Sequence, residues 1–283
     1  MYQSIFRPDL LVGKNYLITG GGTGIGRAIA HEVASLGGHV ILAARKMERL
    51  EKTAAEIMES GGRASYYKLN IRDEAMVQDT VEHILREHGT LDGLVNNAGG
   101  QFPSPAENIS QKGWHAVIET NLTGTFNMSR AAFNHAMSKS GGVIVNIVAE
   151  MWRGFPGMSH TGAARAGVVN LTQTLAVEWA AHGVRINAIA PGYIYGHGIT
   201  QYDPAFIEQV LETVNDDIPA KRMGTESEVA AAVTFLLSPA AAYITGETIR
   251  VDGGSSLWRK HWDIPAHDKF PAYDGFGDNL GGT

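Results

Sequence analysis

The chain has 283 residues, 44% of them hydrophobic and 18% charged, with a formal net charge of −6. Positive and negative residues are interspersed without a Lys/Arg cluster, which argues against a nucleic-acid groove. The absence of cysteine excludes a disulfide framework and thiolate chemistry, and is compatible with a reducing interior.

Short apolar runs alternate with helical patterns almost to the end. In chain order the predicted strands are Tyr16–Thr19, His39–Ala43, Ala64–Leu69, Leu91–Asn96, Gly142–Val148, Val184–Ala190 and Glu247–Val251. Between them run stripes of period 3.6, such as Ile25, Ala28, Ile29, Val33 and Leu36, or Val168, Leu171, Leu175 and Trp179. Strands separated by helices of this length imply right-handed crossovers. The expected fold is α/β: a doubly wound parallel sheet of about seven strands with helices on both faces, in one domain over residues 1–283. Two stretches fall outside the alternation. Residues 193–222 form an insertion expected to cover the site. Residues 255–283 form a polar tail holding Trp258, Trp262, Phe270, Tyr273 and Phe276. That many aromatics suggest docking on the body or on a neighbouring subunit, whereas a disordered end would not need them. Met1–Lys14 has Arg7 and Asp9 and no apolar run, unlike a signal peptide. No stretch reads as a membrane span, so a soluble, cytoplasmic protein is expected.

The first predicted strand leads through Thr19-Gly20-Gly21-Gly22-Thr23-Gly24-Ile25-Gly26 into the first helix. Glycines there let the backbone turn tightly and approach a pyrophosphate, whose charge sits at the helix N-terminus. Gly20, Thr23, Gly24, Ile25 and Gly26 are therefore candidate dinucleotide-binding residues. The second strand runs into Arg45-Lys46 with no carboxylate for a ribose 2′-hydroxyl. Basic residues there suit a 2′-phosphate, hence NADP(H), although a solvated helix start would look the same.

The glycine turn, Asn96-Asn97-Ala98-Gly99, Asn121-Leu122-Thr123-Gly124, Pro191-Gly192 and Val251-Asp252-Gly253-Gly254 together resemble the short-chain dehydrogenase/reductase family over roughly residues 10–255. The resemblance implies a Rossmann-type fold. It also implies that Asn97, Ala98, Gly99, Pro191 and Gly192 belong to the dinucleotide path, that Asn70 and Ile71 flank the adenine, and that Ile194 meets the carboxamide. Asn70 stands where the family usually has Asp, and Gly196 where Thr often follows Pro-Gly.

At the positions where this family carries Ser, Tyr and Lys, the chain has Val148, Thr161 and Arg165. Val148 makes no side-chain hydrogen bond. Thr161 donates but is a far weaker acid than a phenol, and Arg165 stays charged and cannot shuttle a proton. Alcohol oxidation is the chemistry most compromised. Hydride delivery to the β-carbon of an α,β-unsaturated thioester needs aimed donors for an enolate oxygen more than a strong base; Thr161 and Arg165 suit that need, and Asn121 could order a water. The segments 96–107 and 160–168, Ile194-Tyr195 and Ile218-Pro219-Ala220-Lys221-Arg222 resemble the peroxisomal trans-2-enoyl-CoA reductases and their bacterial relatives. That resemblance implies NADPH-dependent reduction of an acyl-CoA substrate. The more distant 2,4-dienoyl-CoA reductases also place a hydroxyl at the Thr161 position, but their catalytic Tyr falls where this chain has Val148. The alternatives are a dehydrogenase of lipid-like or terpenoid alcohols or aldehydes, and a non-catalytic NADP(H)-binding protein.

Other residues keep two readings. Tyr195 is a proton donor or packs under the insertion, and His160 donates a proton or is satisfied by backbone. Glu150 is a base or an ordinary loop carboxylate. Gln101 and Phe102 are expected to line the substrate cavity. His261, Asp263, His267 and Asp268 have metal-ligand chemistry at no standard spacing, so no metal is expected. Helices around Leu122–Met137 and Ala164–Trp179, apolar on more than one face, fit the homotetramer that the family resemblance implies.

Overall fold

The computed structural model describes residues 2–257 and 264–277, leaving Trp258, His261, Trp262 and Asp263 outside the described residues. In chain order the elements are β1 (Asn15–Thr19), α1 (Gly24–Ser35), β2 (His39–Ala44), α2 (Met47–Glu59), β3 (Arg63–Lys68), α3 (Glu74–His88), β4 (Gly93–Asn96), α4 (Gln111–Ile118), α5 (Gly124–Ala132), α6 (Ser138–Ser140), β5 (Gly142–Ile147), α7 (Ser159–Glu178), β6 (Val184–Pro191), β7 (Ile194–Tyr195), α8 (Pro204–Asp217), β8 (Gly224–Thr225), α9 (Glu226–Leu237) and β9 (Thr248–Val251). Seven strands form one parallel sheet in the order β3-β2-β1-β4-β5-β6-β9. The order reverses between β1 and β4, which opens a crevice at the carboxyl ends of those strands.

Successive strand residues feed opposite faces. Ile18, Leu42 and Val95 pack with Ile29, Val33, Leu50, Ile57, Val229 and Val233 from α1, α2 and α9. Leu17, Ile41 and Leu94 pack with Val77, Val81, Met128, Ala131 and Leu175 from α3, α5 and α7. Burial on both faces explains why the central strands read as unbroken apolar runs. The predicted strands agree within two residues; the largest difference is β4, which starts at Gly93 rather than Leu91. The reason is polar. The Asp92 carboxylate accepts from the backbone N–H of Asn15 at 2.9 Å and pairs with Lys14 at 2.8 Å, so it ties the β4 entrance to β1.

The 193–222 segment contains β7 and α8, and β7 pairs with β8 as a two-residue parallel ribbon. Ile199, Val214, Ile218 and Ala220 give it a small core of its own. In the tail, His267 Nε2 contacts the Pro219 carbonyl at 2.9 Å, and Arg222 donates to Phe270 O at 2.8 Å while pairing with Glu228. Farther along, the Tyr273 hydroxyl lies within hydrogen-bond reach of both the Gln3 carbonyl and Glu32, Gly275 O accepts from the Gln3 N–H, and Phe276 packs edge-on against Tyr2 and His31. These residues therefore dock on the chain's own body, over the outer side of α1.

Candidate active site

A cleft of about 400 Å³ lies over the β1/β4 reversal. It brings together Gly20, Thr23, Gly24, Ile25, Gly26, Arg45, Lys46, Asn70, Ile71, Asn97, Ala98, Gly99 and Ile194, thirteen of the candidate dinucleotide residues. The cradle has the shape a pyrophosphate needs. Gly24 has φ +61°, and a Cβ on Gly26 would run into the Gly20 carbonyl and the Asn97 amide. Thr23 caps α1 without using its side chain, and no acidic residue occupies the first turn, so the helix N-terminus offers free donors to an anion. Thr19 Oγ1 accepts from the N–H groups of Asn97 and Ala98, both at 3.0 Å. Asn97 Nδ2 donates back to Thr19 O at 3.0 Å. Asn97 thus fastens the β4 end to the glycine turn.

Several lining residues were missed in the sequence: Arg49, Arg72, His197 and Glu226. Arg49 lies in the first turn of α2, four positions after Arg45, so the basic adenosine end was half visible in sequence. His197 and Glu226 meet only through the fold, where the His197 N–H donates to Glu226 Oε1 at 2.9 Å and His197 Nε2 lies 3.3 Å from Arg49 Nη1. Burial raises the Glu226 carboxyl above the ordinary carboxylate range, which lessens the negative charge that phosphates would meet. Gly196 follows from the same packing, because a Cβ there would occupy the Glu226 carboxylate position.

Behind Gly99 lie the altered positions, which are buried and outside the cleft's own lining, Arg165 among them although the sequence placed it with the dinucleotide residues. Arg165 is 8% exposed; its Nη1 donates to the Ile147 carbonyl at 2.7 Å, and its Nε has no partner. No salt bridge to it occurs among the described residues. Burial pulls its pKa down to about 10, so it stays cationic at pH 7. A Cβ on Gly99 would lie 2.5 Å from Arg165 Nη2 and 2.7 Å from Asn121 Oδ1. Glycine at position 99 is what leaves room for this guanidinium behind the cleft wall. Thr161, one turn earlier on α7, is fully buried, with its Oγ1 3.4 Å from His160 Nδ1. His160 is also buried. Its Nδ1 accepts the Thr161 N–H at 2.8 Å, its Nε2 has no partner, and its ring meets Phe102 edge-on at 4.5 Å. Neither reading of His160 fits whole: backbone satisfies one nitrogen and leaves the other bare.

Four expectations change. Asn121 lies in a π-helical turn, Glu119–Thr123, a distortion common at functional sites. Its amide is spent on backbone, accepting from Gly100 N and donating to Gly100 O and Val117 O. It positions the Gly100 loop: both amide N–H donors are used, and Oδ1 keeps one lone pair as its remaining capacity for a water. Tyr195 is 48% exposed on β7 and does not line the cleft. Pro191 and Gly192 also stay out of the cleft: Pro191 O accepts from Glu150 N, and Gly192 N–H bonds to Val251 O. Val148 packs with Val168, Ala188 and Ala190, so the position lacking a hydroxyl belongs to core. Beneath the site, Asn96 Nδ2 donates to Asn146 Oδ1 at 2.8 Å, and Asn146 Nδ2 donates to Thr172 at 2.9 Å. This buried ladder locks α7 to β4 and β5. Above it, Gln101 Nε2 donates to Tyr202 OH at 3.0 Å, bridging the Gly99–Pro105 loop to the 193–222 segment.

Among the described residues, no group of three or more His, Cys, Asp or Glu is placed to hold a metal ion, and no helix is long and apolar enough to cross a membrane. His267 bonds to backbone, and Asp268 is exposed.

Comparison with known proteins agrees with this geometry. The model of a family described as enoyl-(acyl carrier protein) reductase matches residues 20–256. A Bacillus subtilis protein named "Probable 2,4-dienoyl-CoA reductase [(2E)-enoyl-CoA-producing]" is 42% identical over 86% of this chain and 97% of its own length. The peroxisomal 2,4-dienoyl-CoA reductase of Rattus norvegicus is 37% identical over 90% of this chain and 87% of its own. Among solved structures, a citronellol catabolism dehydrogenase of Pseudomonas aeruginosa is 53% identical, with a TM-score of 0.82 over 90% of this chain and 100% of that one. With its parallel seven-stranded sheet, glycine cradle and matched length, this chain belongs to the short-chain dehydrogenase/reductase family.

Proposed function

We propose that the protein is an NADP(H)-dependent oxidoreductase that reduces trans-2-enoyl-CoA thioesters. The observation that carries this reading is Arg165: a buried guanidinium with one backbone acceptor, an idle Nε and no acidic partner among the described residues. Such a charge is costly unless an anion arrives to share its site. When bound, NADPH supplies a hydride for the substrate β-carbon. Negative charge then grows on the thioester oxygen, and Arg165 holds it, with Thr161 one helical turn away on the same side of α7. Asn121 and Gly99 keep the neighbouring loop close enough for that contact. The names of the dienoyl-CoA reductase relatives support a conjugated acyl-CoA substrate.

A second reading is favoured by one finding, the 53% identity to the citronellol catabolism dehydrogenase: oxidation of a lipid-like alcohol. The two are separated by NADPH consumption with an enoyl-CoA, set beside NADP+ reduction with citronellol. Rapid alcohol oxidation with no enoyl-CoA turnover would reverse the choice.

The basic rim formed by Arg45, Lys46, Arg49 and Arg72 supports selection of a 2′-phosphate. Arg45→Asp is expected to weaken NADPH binding by about tenfold or more while sparing NADH. Equal wild-type affinities for the two dinucleotides, measured calorimetrically, would contradict that assignment.

A homotetramer belongs to the same proposal. Phe126 on α5 and Val177 on α7 are exposed at 36% and 79%, and β9 leaves an open sheet edge. Light scattering should give about four times 30.4 kDa; a monomer at micromolar concentration would count against it. We place the protein in the cytoplasm on the sequence expectations alone.

A further inference from the structure

We infer that Arg49 and His197 form a strap that closes over the diphosphate of the bound dinucleotide and fastens the 193–222 segment to it. The inference rests on the dinucleotide part of the functional reading and is independent of which substrate is reduced.

Both residues line the cleft, and they reach it from different elements. Arg49 stands in the first turn of α2, and that turn packs directly on the glycine cradle: a Cβ on Gly22 would lie 3.0 Å from the Arg49 Cβ and carbonyl carbon. His197 follows β7 in the 193–222 segment, and a Cβ on Gly24 would lie 3.8 Å from the His197 Cβ. One arm therefore stands beside Gly22 and the other beside Gly24. Their tips meet, with Arg49 Nη1 3.3 Å from His197 Nε2. The contact thus bridges the stretch of the cradle that a diphosphate has to cross.

The chemistry of the contact favours an anion. A guanidinium only donates, so the neutral imidazole has to accept through Nε2. Among the described residues Arg49 has no carboxylate partner, whereas Arg72, another cation of the rim, pairs with Glu119. A phosphate oxygen is a better acceptor for Arg49 than an imidazole nitrogen, because both partners are then charged. Arg49 exchanges a neutral acceptor for a charged one, and the freed His197 ring offers an N–H to the same group.

Glu226 is the positioning residue. Its Oε1 accepts the His197 N–H at 2.9 Å, and its carboxylate fills the place that a Cβ at Gly196 would need. That contact fixes where the segment crosses the cleft. A charged carboxylate there would oppose an anion, but burial favours the neutral form of Glu226; Arg27 and Asp274 are the charged side chains that face it. The strap also joins the two halves of the site. The segment that carries His197 reaches the 99–105 loop, where Gln101 donates to Tyr202 OH at 3.0 Å. With the strap closed, this segment is anchored on its cofactor side before a substrate is enclosed.

The test uses two fragments, 2′-phospho-ADP-ribose and adenosine 2′-monophosphate, which share the 2′-phosphate and differ in the 5′-diphosphate. Calorimetry should show Arg49→Gln and His197→Ala each weakening 2′-phospho-ADP-ribose by about tenfold or more, the loss of one charge-assisted bond. Adenosine 2′-monophosphate should bind every variant as it binds wild type, which also shows that the fold is intact. The double variant should lose less than the product of the single losses, because both arms hold one group. Glu226→Ala should repeat the His197→Ala loss, and Glu226→Gln, which keeps an acceptor oxygen, should match wild type. Amide hydrogen exchange at residues 194–199 should slow when wild type binds 2′-phospho-ADP-ribose, and should not slow in His197→Ala. Equal losses with both fragments would put Arg49 at the 2′-phosphate and overturn the strap. So would a 2′-phospho-ADP-ribose affinity that neither substitution moves. If wild type binds neither fragment and no nicotinamide dinucleotide, the dinucleotide reading fails and takes the strap with it.

Discussion

Replacing Arg165 by methionine is expected to lower kcat/KM for an enoyl-CoA by about 10²–10³-fold, the usual consequence of removing one preorganised donor from a developing oxyanion. The same change should raise the unfolding temperature of the protein without ligands. In the folded chain the guanidinium is desolvated and, among the described residues, bonded to Ile147 O alone, and an apolar side chain of similar length avoids that cost. A gain of about 1 kcal/mol would appear as a rise of roughly 2–4 °C. Arg165→Lys should fall between, because it keeps the charge and loses the planar fork. Scanning calorimetry beside steady-state kinetics checks both halves. If the methionine variant is less stable as well as less active, Arg165 is a structural residue, and the anion-holding role has to move.

Gly26→Ala is expected to remove dinucleotide binding nearly completely. Its Cβ would collide with the Gly20 carbonyl and with the Asn97 amide that fastens β4 to the turn. One obstacle is backbone, so the turn itself has to open. The expected cost is about 1–3 kcal/mol of stability, with at least a hundredfold loss of NADPH affinity as the α1 N-terminus draws away from the phosphates. Gly21→Ala is the matched comparison. Its Cβ would meet the tip of Leu42 at 2.8 Å and the Ile18 carbonyl at 3.2 Å, so the nearest obstacle is a side-chain end and not backbone at 2.3 Å as for Gly26, and affinity should fall less. Equal losses in the two variants would mean that general strain, and not the Gly20–Gly26 approach, governs the cradle.

How much could be read in the chain depended on whether a feature is written locally. The parallel sheet was legible because two-sided burial turns whole strands apolar, and the cradle because its glycines follow one another. The β7–β8 ribbon was not, since two residues carry no periodicity. His197 and Glu226 are 29 positions apart and become neighbours only when β7 is laid beside α9. Asn121 and Tyr195 show the opposite error. Residue type suggested what each could do, but partners decide what remains free: Gly100 and Val117 take both N–H donors of the Asn121 amide and leave one lone pair on its oxygen, and the Tyr195 ring sits outside the cleft.

The clasp over α1 bears on the order in which this protein comes into being. Helix α1 leaves the ribosome long before residues 273–276, yet Glu32, wholly buried within it, takes one hydrogen bond from Ser4 and another from Tyr273, 241 positions later. Phe276 arrives later still to cover Arg27 and His31. A nascent chain therefore carries its pyrophosphate helix with the outer side unfinished until synthesis has passed residue 276. Because domains assemble from the N-terminus onward during translation and distant contacts close last, chains interrupted before Tyr273 should make poor traps for the dinucleotide. Cofactor capture then waits until the segment around residues 273–276 has been made.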